Sequence, residues 1–200
     1  MSSIAEICNL ALGNIGIQKT IVNIDETSVE AKACKRFYDH SRKVALRDSP
    51  WPFATRFITL ALVEENPNGV WAYSYRYPSY CEKVRRIIPS SVSVDTNYRD
   101  PYTLSNDASG RLIYSNQINA IAEITYNITD TTLFDQMFVD ALSWAIGMRI
   151  APSLTGNNHK LVMSNAYKMY IKSIEDAANS SFNEENISRE PYSETIQARE

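Results

Sequence analysis

Residues 27–54, TSVEAKACKRFYDHSRKVALRDSPWPFA, hold one long helix and the signal that stops it. Thr27 and Glu30 fit a capping box, in which a hydroxyl takes a free backbone amide and the glutamate reaches back. Ala31, Cys34, Tyr38, Ser41 and Ala45 then fall on one helical stripe, with Phe37 and Val44 beside it. Ser49-Pro50 ends the run, because proline drives the residue before it out of helical geometry. Trp51 and Phe53 follow at once. Two large rings just past a helix end predict the anchor of a core.

Upstream of this stretch, Ser2 or Ser3 can cap a first helix that carries Ile4, Ile7, Cys8, Ala11, Leu12 and Ile15. Gly16 suits its left-handed stop. Downstream the period changes to two. Phe57, Thr59 and Ala61 alternate with Ile58, Leu60 and Leu62, which predicts a strand partly buried on both faces. A turn at 64–69 contains Pro67 and Gly69. Trp71, Tyr73, Tyr75 and Tyr77 then occupy alternate positions, so one face of the next strand is all aromatic. Shorter strand patterns lie at 84–88, 92–94, 102–104, 112–114 and 121–126, separated by proline, glycine and asparagine turns. Residues 55–129 therefore read as a small antiparallel β-domain or barrel.

Helical spacing returns at Thr131, with Asp130 or Thr131 as cap and Phe134, Met137, Phe138, Ala141, Leu142, Ala145 and Met148 on a broad apolar face. Small residues at Ala141, Ala145 and Gly147 allow another helix to approach closely. Pro152 and Gly156 break the pattern, and Asn157 or Asn158 caps a last helix carrying Leu161, Val162, Ala166, Met169, Tyr170, Ile174 and Ala177. The expected fold is α+β: a four-helix bundle from 1–54 and 130–180, with the β-domain of 55–129 inserted between helices two and three. Residues 181–200 are expected as an extended arm. Between 183 and 200 only Ile187, Tyr192 and Ile196 are sizeable apolar groups. Burying them returns about 1.5–3 kcal/mol each, against roughly 1 kcal/mol or more of backbone entropy for every residue fixed. Such a segment orders against a partner surface rather than alone.

Composition excludes several classes of function. The chain is 44% hydrophobic and 22% charged, with a net charge of −3, ordinary for a globular protein and a poor match to one that lives on phosphate contacts. The amino terminus has neither a basic n-region nor an apolar h-region, so no secretion signal is expected. No apolar run approaches the length of a membrane span, so no membrane association is expected. Cys8, Cys34 and Cys81 lack any paired spacing and read as reduced thiols. His40 and His159 have no carboxylate or cysteine at ligand spacing, so no metal and no cofactor is expected. Asp39-His40-Ser41 names the members of a triad, but neighbours on a helix point apart. Glu64-Glu65 would face opposite ways on a strand. No catalytic residue is expected, and the chain reads as a non-enzyme. One constellation could bind nucleic acid: Trp71, Tyr73, Tyr75 and Tyr77 with Arg76, Lys83, Arg85 and Arg86 nearby resemble a stacking platform with basic rims. The same strand could equally pack into a barrel or against a protein neighbour.

Taken in order, a set of short motifs resembles the tail tubular protein A family, the head-to-tail adaptors of short-tailed bacteriophages. The residues that carry the likeness are Asn9-Leu10-Ala11-Leu12 with Ile15-Gly16, Glu30-Ala31, Tyr38-Asp39, Arg42, Leu46, Pro50-Trp51, Phe53-Ala54 and Tyr77-Pro78. Leu112-Ile113-Tyr114, Tyr126, Phe138, Ala141-Leu142 and Leu154-Thr155-Gly156 continue it, so that it spans residues 3–180. The resemblance implies a structural virion protein of the neck, assembled in the host cytoplasm as a homo-oligomeric ring, commonly a dodecamer. That ring would join the portal protein to the tail nozzle, a tail tubular protein B-like partner. It would extend the channel through which double-stranded DNA passes without specific binding during genome ejection. The carboxyl-terminal segment would dock on the portal, with Ile187, Tyr192 and Ile196 as anchors. Loops of the β-insert would face the nozzle: Asn66, Asn68 and Gly69, together with Asp107 and Gly110.

Overall fold

The computed structural model describes residues 3–88 and 100–184, with side chains as far as Ser180. Its elements run α1 (Ile4–Asn14), α2 (Val29–Asp48), a 3-10 turn (Pro52–Ala54), β1 (Thr55–Thr59), β2 (Leu62–Glu65), β3 (Tyr73–Arg76) and β4 (Cys81–Ile88). They continue through β5 (Tyr102–Asp107), β6 (Gly110–Ser115), β7 (Ile121–Tyr126), α3 (Gln136–Leu154) and α4 (His159–Glu184). The strand pattern expected at 92–94 lies outside the described residues.

The four expected helices are present, but they do not form a four-helix bundle. In a bundle each helix offers one stripe to a shared seam. Here α3 is buried on most sides: Leu142, Ser143, Ile146, Gly147 and Ile150 are covered on one half of its circumference, and Ala141, Ala145 and Ala151 on the other. A helix apolar on most sides becomes the middle of its neighbourhood. So α1, α2 and α4 each pack on α3, while α1 and α2 barely meet. The closest approach is at Gly147, where a Cβ would lie 3.2 Å from both Ala11 O and Ile15 Cγ2. Trp51 completes the cover. It is 3% exposed, stands edge-on to Phe138 with ring centroids 5.0 Å apart, and donates its indole N–H to Ala45 O at 2.8 Å.

The element ends correct several expectations. Ser3 and Glu6 form the capping box of α1, and Gly16 takes φ +80° after it. The cap of α2 is Ser28, which accepts from Ala31 N–H, rather than Thr27; Glu30 instead binds Lys19 at 2.6 Å. Asp130 caps only a 3-10 turn (Thr131–Leu133), and Asp135 caps α3. Pro152 sits inside α3, which continues to Leu154. A 3-10 turn (Gly156–Asn158) precedes α4. The last helix runs to Glu184, so an arm beginning at 181 is corrected to a helical turn there. Residues 185–200, with Ile187, Tyr192 and Ile196, lie outside the described residues.

The single strand expected from Thr55 to Leu62 is two. It breaks at Leu60 and Ala61, where the chain passes from a three-stranded sheet (β1-β7-β4) to a four-stranded one (β2-β3-β6-β5), both antiparallel. A single bridge between Ile87 and Asp100 joins the sheets on the other side. The strands therefore wrap around one interior of Leu60, Tyr75, Tyr77, Val84, Ile87, Ile113, Ala122 and Ile124, separate from the core around α3.

Arginines tie the two regions together. Arg42 of α2, 1% exposed, donates to Ile128 O, to Asn127 Oδ1 at 2.6 Å and to Asp39 Oδ1 at 2.6 Å. Arg85 of β4 donates to Leu46 O and Ser49 O at the end of α2 and to Thr125 Oγ1. Arg47 donates to Glu82 O, and Lys83 returns a bond to Arg47 O at 3.2 Å.

Candidate functional site

The aromatic strand turns its rings inward. Tyr75 is 1% exposed, and its hydroxyl donates to Gln117 O and accepts from Ala120 N–H. Tyr73 leans on Tyr75 at 6.3 Å, and Tyr77 is buried beside Cys81. Burial comes first and the Cys81 thiol second in pushing the Tyr77 phenol up, so it remains a neutral hydroxyl. Alternation alone cannot say which face of a strand meets the core; the wrap of the two sheets decides it. The cations near this strand already have partners. Arg76 makes a two-pronged pair with Asp107 at 2.9 Å, Arg86 pairs with Glu123, and Arg85 and Lys83 hold α2 as described above.

The two loops expected on the nozzle side stand at opposite ends of the four-stranded sheet. Tyr73, Ser115 and Tyr102 stand side by side at one end of the four-stranded sheet, and the loop with Asn66, Asn68 and Gly69 belongs to that end. Arg76, Leu112, Asp107 and Gly110 mark the other end. The six-residue strand β5 separates the two by about 20 Å. Asn68 Oδ1 accepts from Val70 N–H and Trp71 N–H, and Asn66 and Gly69 hold positive φ, so the first loop is locally braced. In the second, the Arg76 guanidinium holds the Asp107 carboxyl down to about 2, and Ser109 N–H adds a bond to Asp107 Oδ1 at 2.8 Å.

The Asp107 and Gly110 end borders a cleft of about 610 Å³. Its walls are Ile58, Thr59 and Ala61 on one side, residues 76–81 on another, and the β5–β6 turn through Ser109, Gly110 and Arg111. The Arg111 guanidinium lies 3.8 Å from the centre of the Tyr77 ring. Tyr80, 43% exposed, leans on Tyr126 with ring centroids 5.3 Å apart, and the Arg56 guanidinium lies 3.9 Å from the Tyr126 centre. Arg111 and Tyr80 escaped the sequence reading because each gains its partner across strands, where no spacing rule reaches.

Elsewhere, Asp39 pairs with Arg42 and Lys43 while Ser41 is buried on another side of α2. Glu64 and Glu65 are both exposed on β2. Among the described residues, no three His, Cys, Asp or Glu side chains gather as metal ligands. No described helix is long and apolar enough to cross a membrane. No protein-family model and no curated protein matches this chain.

Proposed function

We propose that the chain is a structural virion protein, the head-to-tail adaptor that joins a portal to a tail nozzle as a ring of copies. The observation that carries the reading is the order of elements among the described residues: two helices, a β-rich insert of seven strands, then two helices. It runs along the same residues, 3–180, whose short motifs resemble the tail tubular protein A family. The cross-ties of Arg42 and Arg85 also suit a part that transmits load between two rings, because they fix the insert to the helices through multiply bonded guanidinium groups, one buried and one partly buried.

In this reading α4 delivers the chain to the portal at Glu184, and Ile187, Tyr192 and Ile196 are the anchors beyond it. The loop with Asn66, Asn68 and Gly69 is the nozzle-side candidate, since β1 and β2 both separate it from α2 along the chain. Many modest contacts repeated around a ring supply the binding strength. The test is a chain ended after Glu184, mixed with purified portal rings and sedimented. The shortened chain is expected to keep the circular dichroism and thermal transition of the full one and to stay in the supernatant. Sedimentation with the portal at full-length levels would refute the docking role.

A further inference from the structure

We propose that the cleft at the Asp107 and Gly110 end binds an extended acidic peptide segment, which adds as a new strand to the edge of β1 that is unpaired among the described residues, and sets a carboxylate on Arg111. This holds whether or not the chain assembles into a ring. Hydrogen-bond phase locates the free backbone groups. Leu60 N–H donates to Ala120 O at 2.9 Å, so the even-numbered residues beside it turn their backbone groups toward β7. The register of β1 against β7 runs without a bulge, so Phe57 and Thr59 turn theirs the opposite way. Ala61, in the same phase, shows where that side leads: its carbonyl accepts from Arg76 N–H at 2.8 Å. Two residues later the two chains part. Tyr77 N–H turns to Arg111 O in the regular alternation, and Pro78, next in phase with Arg76, has no N–H to give. The cleft occupies the opening left between them.

Unpaired donors and acceptors on a strand edge are a template for another strand. β2 blunts its edge with a bulge beside Val63 and with Glu64 and Glu65. β1 has no such protection: it contains no proline, and Arg56 is laid over Tyr126. Phe57 remains 60% exposed beside the edge. Charge selects the kind of segment. The lining holds Arg76 and Arg111 and no carboxylate. Asp107 occupies Arg76, whereas Arg111 lies over the Tyr77 ring and has no carboxylate partner among the described residues. A guanidinium held over a ring keeps N–H groups able to take a carboxylate. Bases are less well served, because Tyr75 is buried and Arg111 already covers Tyr77.

The test uses the full-length chain labelled with nitrogen-15 and followed by amide NMR. The probes are a capped octapeptide alternating glutamate with valine, its lysine counterpart, and two versions of the acidic peptide N-methylated on one or the other alternate set of amides. The acidic peptide is expected to shift the Phe57 and Thr59 amides. The lysine peptide should bind at least about tenfold more weakly, and Arg111→Gln should weaken the acidic peptide by about tenfold without moving the thermal transition. One of the two N-methylated peptides should lose binding. Three results would overturn the proposal: unshifted Phe57 and Thr59 amides with about 1 mM acidic peptide, undiminished binding by both methylated versions, or an oligothymidylate that shifts those amides at lower concentration than the peptide.

Discussion

Along α3 most side chains are covered, whereas along β1 and β2 most are open to solvent. The helical region closes on itself because one segment is apolar on most sides and three others can each cover a part of it. The strand region closes by hydrogen bonding, and that closure is incomplete: the sheets meet through a bent strand on one side and one bridge on the other. Stability accordingly concentrates at the helices and unmet bonding capacity at the strands. A molecule divided in this way can hold one half rigid while the other half remains able to accept a partner.

The hardest test of this division is Trp51→Ala. Removing the ring that caps α3 should cost about 4 kcal/mol and lower the thermal midpoint by about 10 °C, read by calorimetry; a loss of less than about 1 kcal/mol would break the claim that this corner closes the helical core. Next comes Arg85→Met, which leaves Leu46 O and Ser49 O without their donor. It should cost about 2 kcal/mol and, more tellingly, let the two halves part, so that β6 amides exchange at lower denaturant than α3 amides. Coincident exchange would show that the regions are joined by more than these arginines. The choice of cap is a smaller matter: Ser28→Ala should cost about 1 kcal/mol and Thr27→Ala less than about half of that, by chemical denaturation. The smallest effect concerns Asp107. A carboxyl held below its ordinary value contributes above its unfolded pKa and loses that contribution as pH falls through the folded one. The β5–β6 turn should therefore keep its amide shifts from pH 7 to pH 4 and change only toward about 2, while Arg76→Gln should bring that change up into the usual carboxylate range.

Much of the helical region was legible in the sequence because its signals are local. The serine cap of α1, Gly16, and Trp51 after Ser49-Pro50 each act over a few residues and fell where expected, while the reach of Glu6 back to Ser3 was not read. The cap at Ser28 was misread because Thr27 with Glu30 has the capping-box spacing, whereas Glu30 pairs with Lys19 and Ser28 caps by its hydroxyl alone. The bundle was misread for a different reason. A broad apolar face on the third helix counts how much surface needs cover, but not from how many sides cover arrives. In the strand region, alternation identified Tyr73, Tyr75 and Tyr77 as one face, yet the break at Leu60 and Ala61 and the pairing of Arg111 with Tyr77 depend on which strands become neighbours.

α4 lies along α3 by a narrow row, Ala166, Tyr170, Ser173 and Ala177, with Tyr170 bonded to Asp48 at 2.6 Å and Ser173 to Asp140 at 2.7 Å. That arrangement has a mechanical meaning. Tension applied at Glu184 along the helix axis would load the whole row in shear at once, whereas tension across the axis would peel it one contact at a time from Ala177 backward. The molecule should thus resist being drawn lengthwise by its carboxyl terminus far better than being levered sideways.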